Sequence, residues 1–187
     1  MLQPELLKKV IDTLNGLGID YMLTGSVVSS LQGVPRATHD VDIVVHIPLF
    51  LVSDLAAAFP MPRYFLQERS ILEALERVGM FNLIDVEQGD KVDFWVLSNI
   101  AFDQSRFSRR YSVVYQGLDL MVSTPEDTIL AKLSWAKLAG GSEKQMLDVL
   151  RVYEVQAHHL DLAYLEAWVN KLDLQTYWIE IKARANS

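Results

Sequence analysis

Residues 21–46 read YMLTGSVVSSLQGVPRATHDVDIVVH, and the order of events in this stretch decides the fold. An apolar run over residues 19–24 has the length and content of a short buried strand and stops at Gly25-Ser26. Residues 26–32 are compact and helical in character, and Gly33 and Pro35 end them. Residues 40–47 are rich in β-branched side chains, which predicts a second strand, headed by Asp40 and Asp42 on either side of Val41. Strand, turn, helix and strand therefore follow one another closely, so a sheet with interleaved helices is expected.

The pattern continues outward from this stretch. Residues 6–17 have helical periodicity, with Gly16 and Gly18 as stop signals. A helix is expected over 49–59, closed by Pro60 and Pro62, and another over 67–78. Strands are expected over 80–86, 91–97, 111–115 and 118–122, with turn chemistry at Gly89-Asp90 and Gly117. Beyond Ser123 the period changes to 3.6, with helical segments at 126–138, 143–156, 162–172 and 174–183. Pro125 suits a first helical turn, where Glu126 and Asp127 also favour the N-terminal dipole. Gly140-Gly141-Ser142 breaks the helical run. The chain divides by character into an α/β core, 1–123, and a C-terminal helical segment, 124–187, which makes the expected class α+β: a small mixed sheet with helices, plus the helical part.

The 187 residues, half of them apolar, suffice for one domain or a small α/β unit with an appendage. There is no cysteine, which removes disulfides, thiolate nucleophiles and cysteine-held zinc from consideration. A net charge of −7 disfavours a broad nonspecific nucleic-acid surface. The basic cluster Arg106, Arg109 and Arg110 reads as a solvated helix end. No apolar run reaches ~18 residues and the N-terminus is an amphipathic, charged segment, so a cytoplasmic location without a membrane partner is expected.

The candidate chemistry lies in the carboxylates and the turn before them. At a strand-to-helix junction the first helical amides point outward unpaired, which suits a phosphate, and glycine lets phosphate oxygens approach the backbone. Gly25 and Ser26 fit that role; they also fit an ordinary turn with Ser26 as N-cap. Asp40 and Asp42 are two apart in a strand, so both project from one face, ~6.5–7 Å apart along it. Two like charges on one strand face repel unless a cation lies between them, and such oxygens suit Mg²⁺ or Mn²⁺. Asp93, in KVDFWVL, would add a third carboxylate from a neighbouring strand. Arg36 and Thr38, just before the carboxylates, are candidate phosphate or base contacts, Lys132 is a further triphosphate candidate, and Asp148 would pair with a basic group; each equally fits a structural ion pair or a solvated side chain. His39-Asp40 forms an HD dipeptide, but His158-His159 lies near a helix end, a poor place to complete a phosphohydrolase metal site.

Gly-Ser, then Asp-Val-Asp, then a later strand of the form hydrophobic-Asp-hydrophobic resembles the signature of the DNA polymerase β-type nucleotidyltransferase superfamily. With TPEDTILAKLSWAK and SEKQMLDVLRVYEVQ added, the chain resembles small bacterial nucleotidyltransferase-like proteins related to abortive-infection toxin nucleotidyltransferases, over nearly its whole length. That resemblance implies that Gly25 and Ser26 hold triphosphate, with Lys132 near the site, and that Asp40, Asp42 and Asp93 bind metal. Asp93 would also activate the acceptor hydroxyl. The reaction implied is transfer of a nucleoside monophosphate from an NTP to a hydroxyl of an RNA end, a protein or a small molecule, with a toxin-like role and a homodimer or antitoxin partner among the expectations. The competing readings are a nucleotide-binding or antitoxin-type module without turnover, and a glycosyltransferase using Asp40 and Asp42 as its DxD pair.

Overall fold

A computed structural model describes residues 4–36, 38 and 40–185. Two compact units emerge, Met1–Thr24 with Ala37–Val122 and Gly25–Arg36 with Ser123–Ser187. The division falls between Val122 and Ser123, and it also sorts the helix after the first strand with the C-terminal helices.

The first unit is built on a seven-stranded mixed sheet. Its strands are β1 (Asp20–Thr24), β2 (Asp40–His46), β3 (Tyr64–Phe65), β4 (Met80–Asp85), β5 (Asp90–Val96), β6 (Tyr111–Tyr115) and β7 (Leu118–Val122). Their spatial order is β3-β4-β5-β2-β1-β7-β6. β2 lies antiparallel to β1 and parallel to β5 at the centre, where alternate residues Val41, Ile43, Val45, Val92 and Phe94 are almost wholly buried. Phe94 stacks on its register partner Phe81, with ring centroids 4.9 Å apart. Helices α1 (Pro4–Leu17), α3 (Val52–Ala57) and α4 (Glu68–Arg77) add Leu6, Val10, Leu14, Leu55 and Ile71 to the buried set. Period-3.6 and period-2 patterns thus meet in one core, as the sequence leads one to expect.

Three local features depart from the sequence reading. The helix expected over 49–59 begins as a 3₁₀ turn, Leu49–Leu51, after Pro48, and the α-helical part is only Val52–Ala57. The two-residue strand β3 pairs with the outer edge of β4, a long-range event with no local signature. Helix α5 (Ala101–Ser108) has no counterpart among the expected elements, because only Phe102 and Phe107 are buried along it and its other residues are polar or small. Phe107 packs with Met22 and Val44, joined by Trp95 and Leu97. Met22, Val44 and Trp95 share a face of the sheet with Asp42 and Asp93, since each is two residues from one of them or paired in register. The basic cluster closes α5 and is engaged in pairs: Arg106 meets Asp103, and Arg110 meets Asp20 while lying over the Phe107 ring.

The hairpin joining β4 to β5 fixes the register of Asp93. Asp85 is fully buried, and one of its carboxylate oxygens accepts the amides of Glu87 and Gln88 while the other accepts from Arg63. Gly89 takes a left-handed φ of +73° and donates its amide to the Asp85 carbonyl at 2.8 Å. With the turn locked in this way, Asp93 stands opposite Asn82.

The second unit comprises α2 (Gly25–Gln32), α6 (Pro125–Leu138), α7 (Glu143–Gln156), α8 (Leu162–Lys171) and α9 (Gln175–Ala185). The N-cap of α6 is Thr124, whose hydroxyl accepts the Asp127 amide, and Pro125 follows in the first turn. Helix α2 packs on α7 and α6. The buried Gln32 side chain donates to the Ser123 carbonyl at 2.6 Å, and Gln156 donates back to the Gln32 carbonyl at 2.7 Å. At the end of α2 the α7 backbone comes so close that a Cβ on Gly33 would sit 3.0 Å from Arg151 C and Val152 N.

This contact separates two glycines that look alike in sequence. Gly33→Ala should destabilise the protein by about 1–3 kcal/mol, the cost of overpacking against backbone that has little room to yield. Gly16→Ala, inside α1 with nothing within 4 Å of the new methyl group, should stabilise by about 0.5–1 kcal/mol. Thermal and urea melts of the two variants measure both signs; equal shifts would show that the approach at Gly33 is not tight.

Candidate functional site

A polar row crosses four strands of the first unit. Parallel pairing of β2 with β5 sets Asp42 against Asp93 as register partners. Asp42 pairs with Thr24 on β1, and Asp93 pairs with Asn82 on β4. The row Asn82–Asp93–Asp42–Thr24 therefore runs across the sheet on one face, at the normal interstrand spacing of about 4.8 Å. Asp40 is one step further along β2, in register with Lys91, and its side chain is largely exposed. Thr38 lies before it, with its hydroxyl 3.3 Å from the Asp40 carbonyl. His39 lies outside the described residues.

Like charges directly opposite on a sheet repel, so the pair needs compensation. The Trp95 indole N–H donates to Asp42 Oδ1 at 3.1 Å. The Asn82 amide donates to Asp93 Oδ1, and the Lys91 ammonium donates to Asp93 Oδ2 at 2.8 Å. Lys91 Nζ is also 3.9 Å from Asp40 Oδ1. The hydrogen bond from Lys91 to Asp93 raises the lysine pKa above its ordinary value, against a smaller opposing effect of burial, and the charges of Asp40 and Asp42 add to the rise. Lys91, Asn82 and Trp95 are not among the residues that the sequence singles out. Alternation along β5 holds a signal for two of them, since Lys91, Asp93 and Trp95 occupy every second position.

Among the described residues no three histidine or carboxylate side chains gather closely enough, as they stand, to hold a metal ion. Asp42 and Asp93 are side by side, Asp40 stands apart along the strand, and the Lys91 ammonium rests between Asp93 and Asp40. The donor set consists of carboxylate oxygens that already attract a cation, which is the chemistry a hard ion such as Mg²⁺ or Mn²⁺ requires.

In the second unit three candidate phosphate ligands, Ser26, Arg36 and Lys132, belong to one hydrogen-bonded network. Gly25 opens α2 with φ +70°, a left-handed value that side chains disfavour, so this turn calls for glycine for conformational reasons as well. Ser26 lies inside α2 rather than capping it, and its hydroxyl accepts from the Arg36 guanidinium at 2.7 Å. Arg36 grips Asp148 with Nε and Nη2, both at 2.8 Å. Lys132 donates to Asp148 at 2.8 Å and to Gln145 at 3.1 Å. Arg36 and Lys132 thus converge on one buried carboxylate, and Ser26 joins them through Arg36.

Burial works to raise the Asp148 pKa, but the hydrogen bonds from Arg36 and Lys132 outweigh it and hold the carboxyl below the ordinary value. A depressed carboxyl contributes its stability above the unfolded-state pKa, and that contribution disappears as pH falls through the folded-state value. Asp148→Asn removes the carboxylate that pairs with the buried Lys132 ammonium and should cost about 3–5 kcal/mol at pH 7. The stability gap between wild type and Asp148→Asn should narrow as pH drops toward 3. Urea melts across that range test this, and a gap independent of pH would show that the aspartate charge is not what stabilises the unit.

No family model matches the sequence, and no curated protein matches it. Solved structures do match in shape. The antibiotic-resistance factor ANT(2'')-Ia is 12% identical, with 96% of each chain covered and a TM-score of 0.55. An antigenic nucleotidyltransferase-like protein from Paracoccidioides brasiliensis is 21% identical, with 97% of this chain and 94% of its own covered and a TM-score of 0.54. A seven-stranded mixed sheet bearing an in-register aspartate pair, together with these likenesses, identifies the chain as having the nucleotidyltransferase fold.

Proposed function

We propose that the protein is a metal-dependent nucleotidyltransferase that moves a nucleoside monophosphate from an NTP to an acceptor hydroxyl, releasing pyrophosphate. The observation that carries this reading is the register pairing of Asp42 with Asp93 across parallel strands, with Asp40 beside them, on the nucleotidyltransferase fold. Asp40, Asp42 and Asp93 would hold Mg²⁺ or Mn²⁺, which, when bound, lowers the pKa of the incoming hydroxyl and neutralises charge on the leaving pyrophosphate. Asp93, held at one oxygen by Asn82, is the base that takes the acceptor's proton. The acceptor oxygen forms a bond to the α-phosphorus as the bond from that phosphorus to the β-phosphate oxygen breaks, so the atoms balance with pyrophosphate as the leaving group.

Gly25, Ser26, Arg36, Thr38 and Lys132 are assigned to the nucleotide. Gly25 directly follows Thr24, the register partner of Asp42, in the sequence. The Arg36 contact to Ser26 puts a guanidinium at that turn. Fold likeness to a protein solved with adenylyl-2''-tobramycin supports a small-molecule hydroxyl as the first acceptor to try, ahead of RNA ends and protein side chains.

The test is to incubate the protein with each labelled NTP and Mg²⁺ or Mn²⁺, in the presence of aminoglycosides, tRNA or cell lysate, and to follow pyrophosphate release and labelled product. Metal-dependent transfer is the expected result. Asp93→Asn should reduce the rate by about 10²–10⁴-fold, the usual scale for a lost acid–base group. Nucleotide binding without pyrophosphate release under every condition would instead make the protein a binding module. Unchanged turnover in Asp93→Asn would remove its assignment as base.

A further inference from the structure

The carboxylate face carries a cation of its own, and its geometry is lopsided. Lys91 alternates with Asp93 on β5 and has Asp40 as its partner on β2, so it belongs to the same surface as the aspartates. Its ammonium is 2.8 Å from Asp93 and 3.9 Å from Asp40. The Asp93 side chain is only 12% exposed and is pinned from the β4 side by Asn82, whereas the Lys91 side chain is 38% exposed. Lysine is a point charge on a flexible stem, with no fixed fork to hold it in place. The aspartate cannot leave this surface, but the lysine can swing into solvent.

We propose that Lys91 is the built-in counter-ion of the aspartate pair, competing with the divalent cation for Asp93 and thereby setting the metal affinity of the site. The inference rests on the metal-dependent reading given above. The ammonium already engages the Asp93 carboxylate that would hold the metal ion, and two cations a few ångströms apart repel. Loading therefore requires Lys91 to withdraw. A triphosphate entering with the metal gives the displaced ammonium a new anionic partner, so metal and nucleotide should each tighten the binding of the other by the same factor. Metal alone is held weakly, and the site fills when the nucleotide arrives.

The experiment is titration of Mn²⁺ into wild type, Lys91→Met, Lys91→Arg and an exposed control from the other unit, Lys144→Met, read by calorimetry and by the electron-spin signal of free Mn²⁺. Lys91→Met should bind Mn²⁺ about tenfold more tightly without nucleotide. Lys91→Arg and Lys144→Met should stay within about twofold of wild type, because one keeps the local charge and the other leaves every residue of the aspartate-bearing sheet unchanged. In unmodified protein, brief acetylation followed by mass spectrometry should show Lys91 becoming more reactive when Mn²⁺ is added, a readout independent of whether any variant folds. Wild type that binds Mn²⁺ with no tightening in Lys91→Met, with equal tightening in Lys144→Met, or with unchanged Lys91 reactivity would overturn the counter-ion role alone. Failure of every variant to bind Mn²⁺, with or without NTP, would overturn the metal-dependent function and this inference with it.

Discussion

Parallel pairing of β2 with β5 is the constraint from which the site follows. Six consecutive register pairs place Asp40 beside Lys91 and Asp42 beside Asp93, and a slip of one residue would turn either carboxylate toward the buried face that carries Ile43 and Phe94. Because that opposite face is packed, the register cannot drift. The hydrophobic effect thus holds in place an arrangement that electrostatics alone would push apart.

The face bearing the aspartates is divided along the strands. One end is polar, with Asn82, Asp93, Asp42 and Thr24 in a row, and the next layer is apolar, with Met22, Val44 and Trp95 under Phe107 of α5. Trp95 belongs to both, since its ring joins the apolar cluster while its N–H reaches Asp42. This suits an indole, which has an apolar body and one polar edge. Through Phe107, helix α5 packs on the apolar part of this face.

Much of this is legible in the order of the amino acids. The strands at 40–47 and 91–97 are dense in β-branched and aromatic residues, and two-residue alternation alone puts Asp40 and Asp42 on one face. The long C-terminal helices announce themselves through period, Pro125 and the Gly140-Gly141 break. What stays hidden is whatever depends on pairing between distant segments. Lys91 looks like any solvent-facing strand lysine until β5 is set beside β2. Asn82 has no meaning until the Asp85 turn fixes it opposite Asp93. Helix α5 escapes notice because two phenylalanines five residues apart give too little periodic signal. Ser26 has the look of a cap, yet Gly25, with its positive φ, makes the turn and draws the serine into the helix.

Helix α2 is encoded between two strands of the sheet but finds its packing partners in α6 and α7. During synthesis it emerges from the ribosome more than a hundred residues ahead of the α7 backbone on which Gly33 rests. At ordinary elongation rates that interval is on the order of ten seconds, long compared with helix formation or chain collapse. Throughout it, Val27 and Val28 have no partners from the helices that will bury them. The nascent chain must therefore carry an unfinished apolar surface on α2 until its C-terminal third appears.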